Sequence, residues 1–188
     1  MPKVKLVILD RDGVINRDSD AYVKSVDEFI LIDGSADAIA RLCQQGFTVA
    51  VATNQSGLAR GYFTEQDLEA MHGKMQHAVK KAGGSIATIA YCPHGPNDGC
   101  QCRKPLAGLI DQIERSLGVN AEGSIMIGDS LRDLQAGVKK GCLPLLVKTG
   151  KGLKTLKQLE TTSEAGLEKV PVFDDLSQAV THIIQHYG

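Results

Sequence analysis

No apolar run in the sequence approaches the roughly 20 residues that cross a bilayer as a helix, so the chain offers no membrane span. Charge of either sign is not in excess: 21 Lys and Arg stand against 22 Asp and Glu, a formal net charge of −1. Without a basic surplus there is no electrostatic case for nucleic acid or an anionic membrane as partner. The amino-terminal MPKVKLVILD lacks a secretory pattern, because its apolar stretch meets an aspartate instead of a small-residue cleavage site. A cytoplasmic protein is expected. Nor is there an even complement of cysteines. Five are present, three of them between Cys92 and Cys102, and in a reducing compartment such a cluster favours metal over disulfides. No apolar stripe is left over for a second copy, so a monomer is expected. With 188 residues, 43% hydrophobic and 23% charged, the composition fits one soluble domain, residues 1–188, with a sizeable core.

What is present is organised around Val4 to Gly13, VKLVILDRDG. The run from Val4 to Leu9, broken only by Lys5, reads as a strand buried on both faces of a parallel sheet. In open α/β sheets, ligands bind just beyond the carboxyl ends of strands, which is where Asp10 and Asp12 fall. Residues two apart on an extended chain point to the same side. Two carboxylates that close repel unless a cation sits between them, and Mg²⁺ prefers such hard oxygen ligands.

The rest of the chain repeats strand and helix. Helix is expected over 36–45, strand over 47–52, and helix from Thr64, with Asp67 completing a capping box, to about Ala82. Strand follows at 86–91, helix from Pro105 to about Leu117, strand at 124–127, helix at 131–140 and strand at 143–147. From Thr149 to Val170 a loop with a short helix is expected, then an edge strand at 170–173 and a helix over 176–186. This pattern predicts a three-layer, Rossmann-like α/β fold, a parallel sheet with helices on both faces. His72 and His77 read as surface residues of the second helix.

Three further stretches carry chemistry. Thr53-Asn54-Gln55-Ser56-Gly57 follows the second strand and offers a phosphate cradle of side-chain and backbone donors. Cys92, His94, Cys100 and Cys102 form a C-x-H-x5-C-x-C set within eleven residues, an accepted tetrahedral Zn²⁺ ligand set. Four protein ligands leave no open position for water, so this zinc is expected to pin a small loop. Arg103 and Lys104 follow at once, a planar fork and a point charge suited to phosphate oxygens. Gly128-Asp129-Ser130-Leu131-Arg132-Asp133 places another carboxylate at a strand end.

DRDG at 10–13, Thr53, Lys104 and GDSLRD at 128–133, in that order, resemble the haloacid dehalogenase superfamily of phosphohydrolases. Within it the chain resembles the D,D-heptose 1,7-bisphosphate phosphatases, through DRDG with IN at 15–16, TNQSGLARGYF at 53–63, the Cys/His loop and CRKP at 102–105. The resemblance spans about Val4 to Gly150. Histidinol-phosphate phosphatases share TNQSG and the zinc loop and are the alternative. Val14 stands where many relatives have Thr, and Ser130 where some have Lys.

The resemblance implies Mg²⁺-dependent hydrolysis of a small sugar phosphate through an aspartyl-phosphate. Asp10 would be the nucleophile, Asp12 the acid and base, and Thr53 and Lys104 the holders of the transferring oxygens. Mg²⁺ would sit on Asp10, Asp129 and the backbone carbonyl of Asp12. Asp133 would orient Lys104 or the metal's surroundings. Asp18, Tyr22, Asn54, Gln55, Ser56, Arg60 and Arg103 are the expected substrate contacts. No large insertion follows Asp12 or precedes Lys104, so no large cap domain is expected. Two other classes stay open: a phospho-ligand-binding protein without catalysis, and a redox sensor built on the cysteines.

Overall fold

The computed structural model describes residues 5–188; Val4, the expected first residue of the first strand, lies outside them. Strand and helix alternate: β1 Leu6–Leu9, α1 Ser35–Gln44, β2 Thr48–Asn54, α2 Glu65–Lys81, β3 Thr88–Cys92, α3 Gly108–Leu117, β4 Ile125–Gly128, α4 Leu131–Lys139, β5 Leu143–Val147, α5 Gly152–Thr161, β6 Val172–Phe173 and α6 Leu176–Tyr187. The strands form one sheet in the order β3-β2-β1-β4-β5-β6, and every pairing is parallel.

Strand periodicity divides the core in two. Val7, Leu9, Val49, Val51, Ile125 and Ile127 face one side, where they meet Ile39 and Leu42 of α1, the Leu68-Met71-Met75-Val79 stripe of α2, and Val180 and Ile183 of α6. Leu6, Ile8, Ala50, Ala52 and Met126 face the other, against Leu109, Ile110 and Ile113 of α3 and Ala136 of α4. Both faces of the central strands are covered, which is why they read as continuous apolar runs. Burying each such side chain contributes about 1.5–3 kcal/mol, and a one-residue slip of β1 would exchange its two faces.

Strand order reverses between β1 and β4, and the crevice beyond their carboxyl ends is where such sheets bind ligands. Asp10 follows β1 directly, and Asp129 follows β4. Residues 10–34 lie over this edge as loop and isolated bridges, with no separate cap among the described residues.

Several boundaries differ from expectation. β2 continues to Asn54, so its parallel pairing with β3 reaches the residues that border the crevice. α3 starts at Gly108 instead of Pro105, because the Gly108 N–H donates to the Gln101 carbonyl at 3.1 Å and keeps the chain against the Cys/His loop. A Cβ on Gly108 would lie 2.4 Å from that carbonyl oxygen. The stretch after Thr149 contains the ten-residue α5 and a third small cluster, in which Leu156, Leu159 and Leu167 pack against Leu134 and Leu146. The Thr64–Asp67 capping box is formed in both directions.

Candidate active site

Four charged side chains meet at the crevice. Lys104 is 2% exposed. Its ammonium donates to Asp10 Oδ1 at 2.9 Å, Asp133 Oδ1 at 2.6 Å and the Ala52 carbonyl at 2.7 Å. An ammonium has three donors, and all three are used, which makes the burial of this charge tolerable. Asp133 closes the other side: its Oδ2 accepts from the Ser130 N–H and hydroxyl at 3.1 and 2.9 Å, so the residue that caps α4 also orients Lys104. Asp133 thus contacts Lys104 and also stands in the carboxylate group that could hold a metal.

Asp129 is fixed by the stretch that the sequence reads as a loop with a short helix. Its Oδ2 accepts from the Lys151 N–H at 2.9 Å, and its carbonyl accepts from the Thr155 hydroxyl at 2.7 Å. Gly13 and Gly150 pack on the carboxylate: a Cβ on either would fall 2.0 or 2.2 Å from Asp129 Oδ2, and both have positive φ, 86° and 57°. Only glycine fits there.

Asp10, Asp129 and Asp133 have carboxylate oxygens within 4.8 Å of one another. Three carboxylates against one ammonium leave two negative charges, the charge of one divalent cation. Burial, then Asp133, pushes the Asp10 carboxyl up to about 7. Burial, then Asp10 and Asp133, pushes Asp129 to about 9. Burial works against the Lys104 charge, but Asp10 and Asp133 outweigh it and hold its pKa above the usual value. This is an oxygen-rich, over-negative centre, and Mg²⁺ fits it. Among the described residues nothing bonds to Asp10 Oδ2.

The Asp12 carboxylate is not part of this cluster. Its Oδ1 accepts from Arg11 Nη2 at 2.8 Å, Arg11 Nε at 3.2 Å and Asn16 Nδ2 at 2.9 Å, and its Oδ2 accepts from Gln55 Nε2 at 2.9 Å. Burial would raise its pKa, but Arg11 and these hydrogen bonds overcome it and hold the group below the ordinary value. Arg11 is fully buried. Its Nη1 lies 3.2 Å from His72 Nε2, and its guanidinium lies over the Phe29 ring. His72 is therefore not a surface residue; burial, then Arg11, lowers its pKa to about 4.

At the end of β3, the ligand atoms of Cys92, His94, Cys100 and Cys102 also gather within 4.8 Å. Cys92 Sγ is 3.7 Å from Cys100 Sγ and 3.6 Å from His94 Nδ1, and His94 Nδ1 is 3.3 Å from Cys102 Sγ. Soft sulfur and imidazole donors at these separations suit one tetrahedral Zn²⁺. Cys92, Cys100 and Cys102 pack on the α3 face of the core, so the loop is anchored where it hands over to Arg103 and Lys104.

Around the carboxylates lies a cleft of about 340 Å³ bordered by Asp18, Tyr22, Asn54, Gln55, Ser56, Arg60 and Arg103, all seven of the expected substrate contacts. Thr53 does not border it. It is buried beneath, its hydroxyl accepting from Gln55 Nε2 at 3.0 Å. Asn54 clamps the Lys104 backbone, accepting from its N–H at 3.0 Å and donating to its carbonyl at 3.1 Å. Arg60 stacks over Tyr22. Arg132 and Lys151 also border the cleft, and the sequence reading did not single them out. Among the described residues no partner reaches the buried Nη1 of Arg103, and burial, then the nearby Arg132 charge, lowers its pKa. Two guanidiniums facing one space and an orphaned donor suit an anion.

A family model described as HAD-hydrolase-like matches residues 101–179. The D-glycero-β-D-manno-heptose-1,7-bisphosphate 7-phosphatase of Pseudomonas aeruginosa is 52% identical over 181 residues, covering 96% of this chain and 98% of its own. The chain belongs to the heptose-1,7-bisphosphate 7-phosphatase family. Crystal structures of relatives agree in fold. D,D-heptose 1,7-bisphosphate phosphatase from Bordetella bronchiseptica, complexed with magnesium and phosphate, superposes with a TM-score of 0.90 at 52% identity, covering 97% of this chain and 99% of that one. The enzyme from Burkholderia thailandensis superposes at 0.73 and 39% identity, covering 96% and 98%. The family is one of phosphoric monoester hydrolases, and membership settles the class in favour of an enzyme over a binding module or a redox sensor.

Proposed function

We propose that this chain removes the 7-phosphate of D-glycero-β-D-manno-heptose 1,7-bisphosphate. The observation that carries the chemistry is the buried Asp10–Lys104–Asp133 chain beside Asp129, with two negative charges in excess at the switch point of the sheet. The substrate is taken from the relatives, of which the P. aeruginosa and B. bronchiseptica proteins carry the β-anomer in their names.

In this reading Asp10 Oδ2 attacks phosphorus while Lys104 holds Oδ1, and an aspartyl-phosphate forms. Asp12, ionised in the free site, takes up a proton as the substrate binds, gives it to the departing sugar oxygen and then takes one from the water that releases phosphate. Mg²⁺, held by Asp10, Asp129 and the Asp12 carbonyl, supplies charge neutralisation between nucleophile and phosphate when bound. Lys104 and the donors at 54–56 stabilise charge on the transferring oxygens, and Thr53 supports Gln55 from below. Arg103, with Arg132 beside it, takes the second phosphate. Asp18, Tyr22 and Arg60 contact the sugar. Zn²⁺ on the four-ligand loop keeps Arg103 and Lys104 in register. One sheet with covered faces supports a single domain over 1–188, and no helix of the described residues is long and apolar enough to cross a membrane. A monomer working in the cytoplasm completes the reading.

The test is phosphate release with Mg²⁺ from each heptose 1,7-bisphosphate anomer and from histidinol phosphate, with Asp10→Asn as blank. The β-anomer should win by tenfold or more in kcat/KM, about 1.4 kcal/mol of transition-state discrimination. Preference for histidinol phosphate would overturn the substrate and leave the mechanism.

A further inference from the structure

The reading above gives Asp12 its proton-transfer role without using its two buried neighbours. Arg11 and His72 are a costly arrangement. A guanidinium with no exposed surface needs its charge and its donors matched, and His72 occupies a position of α2 that belongs to the Leu68-Met71-Met75 stripe, where an apolar side chain would satisfy the core. Arginine can only donate. The 3.2 Å contact between Arg11 Nη1 and His72 Nε2 therefore makes Nε2 the acceptor and leaves the ring proton on Nδ1. Phe29 lies under the guanidinium, so its plane is fixed by the ring beneath it and by His72 at its edge.

The consequence falls on Asp12. Its Oδ1 already accepts three hydrogen bonds, two from Arg11 and one from Asn16, whereas Oδ2 accepts one, from Gln55. An oxygen with three donors aimed at it has no room for a proton of its own. We propose that Arg11 and His72 are positioning residues for proton transfer: His72 Nε2 holds the guanidinium, the guanidinium saturates Asp12 Oδ1, and Oδ2 alone carries the proton to the leaving oxygen and from the attacking water. The inference rests on Asp12 being the acid and base. In the first half-reaction the Oδ2–H bond breaks as the sugar O–H forms. In the second, a water O–H breaks and the proton returns to Oδ2.

The test separates positioning from mere packing through the leaving group. With Mg²⁺ present, kcat/KM reports the steps up to departure of the leaving group, so it is measured for the sugar bisphosphate, whose alkoxide needs a proton, and for p-nitrophenyl phosphate, whose phenolate does not. Asp12→Asn sets the benchmark. His72→Leu, which suits the apolar stripe but offers no acceptor, is expected to lose about tenfold or more on the sugar phosphate and less than about threefold on p-nitrophenyl phosphate. KM should be little changed. His72→Gln, whose amide oxygen can accept from Arg11, is expected to restore most of the loss, and it keeps the test alive if the leucine variant folds poorly. Equal losses on both substrates, or no loss in His72→Leu, would overturn the inference while Asp12→Asn keeps its leaving-group dependence. If Asp12→Asn itself shows no such dependence, the acid–base role of Asp12 fails and the positioning role falls with it.

Discussion

Protein free of Mg²⁺ should lose stability as pH rises from 6.5 to 8, and Mg²⁺ should abolish the loss. Asp10 and Asp129 have folded pKa values of about 7 and about 9 against an ordinary 3.8. A carboxyl whose folded pKa lies above its unfolded value keeps its proton in the fold after the unfolded chain has released it. Stability then falls with rising pH, from near 4 until the folded pKa is passed. His72 works in the opposite sense, since its folded pKa of about 4 lies below 6.5, but its effect is complete above pH 6.5. The favourable contribution of Asp12 is lost only in acid, below its ordinary value of 3.8. Between pH 6.5 and 8 the two raised carboxyls therefore dominate. Asp10 traverses about half a unit and Asp129 about one and a half, together about 3 kcal/mol at roughly 1.4 kcal/mol per unit. For a domain of this size that is a fall in Tm of about 6–12 °C. Thermal melts in Mg²⁺-free buffer with zinc retained would measure it, and the same series with saturating Mg²⁺ should be nearly flat. Asp129→Asn should flatten the metal-free series as well. A metal-free Tm that does not fall over this window, or a slope that Mg²⁺ leaves untouched, would refute the reasoning.

Lys104→Met removes the buried cation that pairs with Asp10 and Asp133 in the carboxylate cluster. It should destabilise by about 3–5 kcal/mol, and combined with Asp133→Asn it should cost less than the sum of the two changes in chemical denaturation. Gly13→Ala places a methyl where Asp129 Oδ2 now lies, on a backbone with φ of 86°, so kcat should drop by about 10² or more while the fold persists by circular dichroism. Cys100→Ser should lower bound zinc, measured by metal analysis, and reduce kcat/KM on the bisphosphate by more than about tenfold as Arg103 loses its anchor. Zinc loss with unchanged kcat/KM would make the loop irrelevant to recognition.

Much of this site was legible in sequence because its parts sit at strand ends. An apolar run closing on a polar side chain marks both strand and site, and the carboxylates Asp10 and Asp129 and the hydroxyl of Thr53 announce themselves that way. Cys92 to Cys102 is equally plain, since four ligands within eleven residues need no fold to bring them together. What could not be read depends on distant segments. His72 sits at helical spacing on a polar-looking helix, and only the packing of α2 over the β1 loop turns it inward onto Arg11. Arg11 itself, between two aspartates, gives no sign that it is buried. Gly150, Lys151 and Thr155 lie in a Lys- and Thr-rich stretch without strong periodicity, yet they hold Asp129 through a backbone N–H, a hydroxyl and the absence of a Cβ. Backbone donors leave no side-chain signature. Thr53 was legible as a strand-end residue but not as the one beneath the cleft, because the parallel pairing of β2 with β3 carries the strand two residues past its expected end at 52.

The central claim is that Asp10 becomes phosphorylated. Acid quenching of a reaction with the bisphosphate and Mg²⁺, followed by mass analysis of the peptide containing Asp10, tests it directly. The account predicts a transient phosphoryl adduct on that peptide in the wild type, formed and lost at rates compatible with kcat, and none in Asp10→Asn. Steady phosphate release with no adduct at any time would contradict it and assign the attack on phosphorus to water.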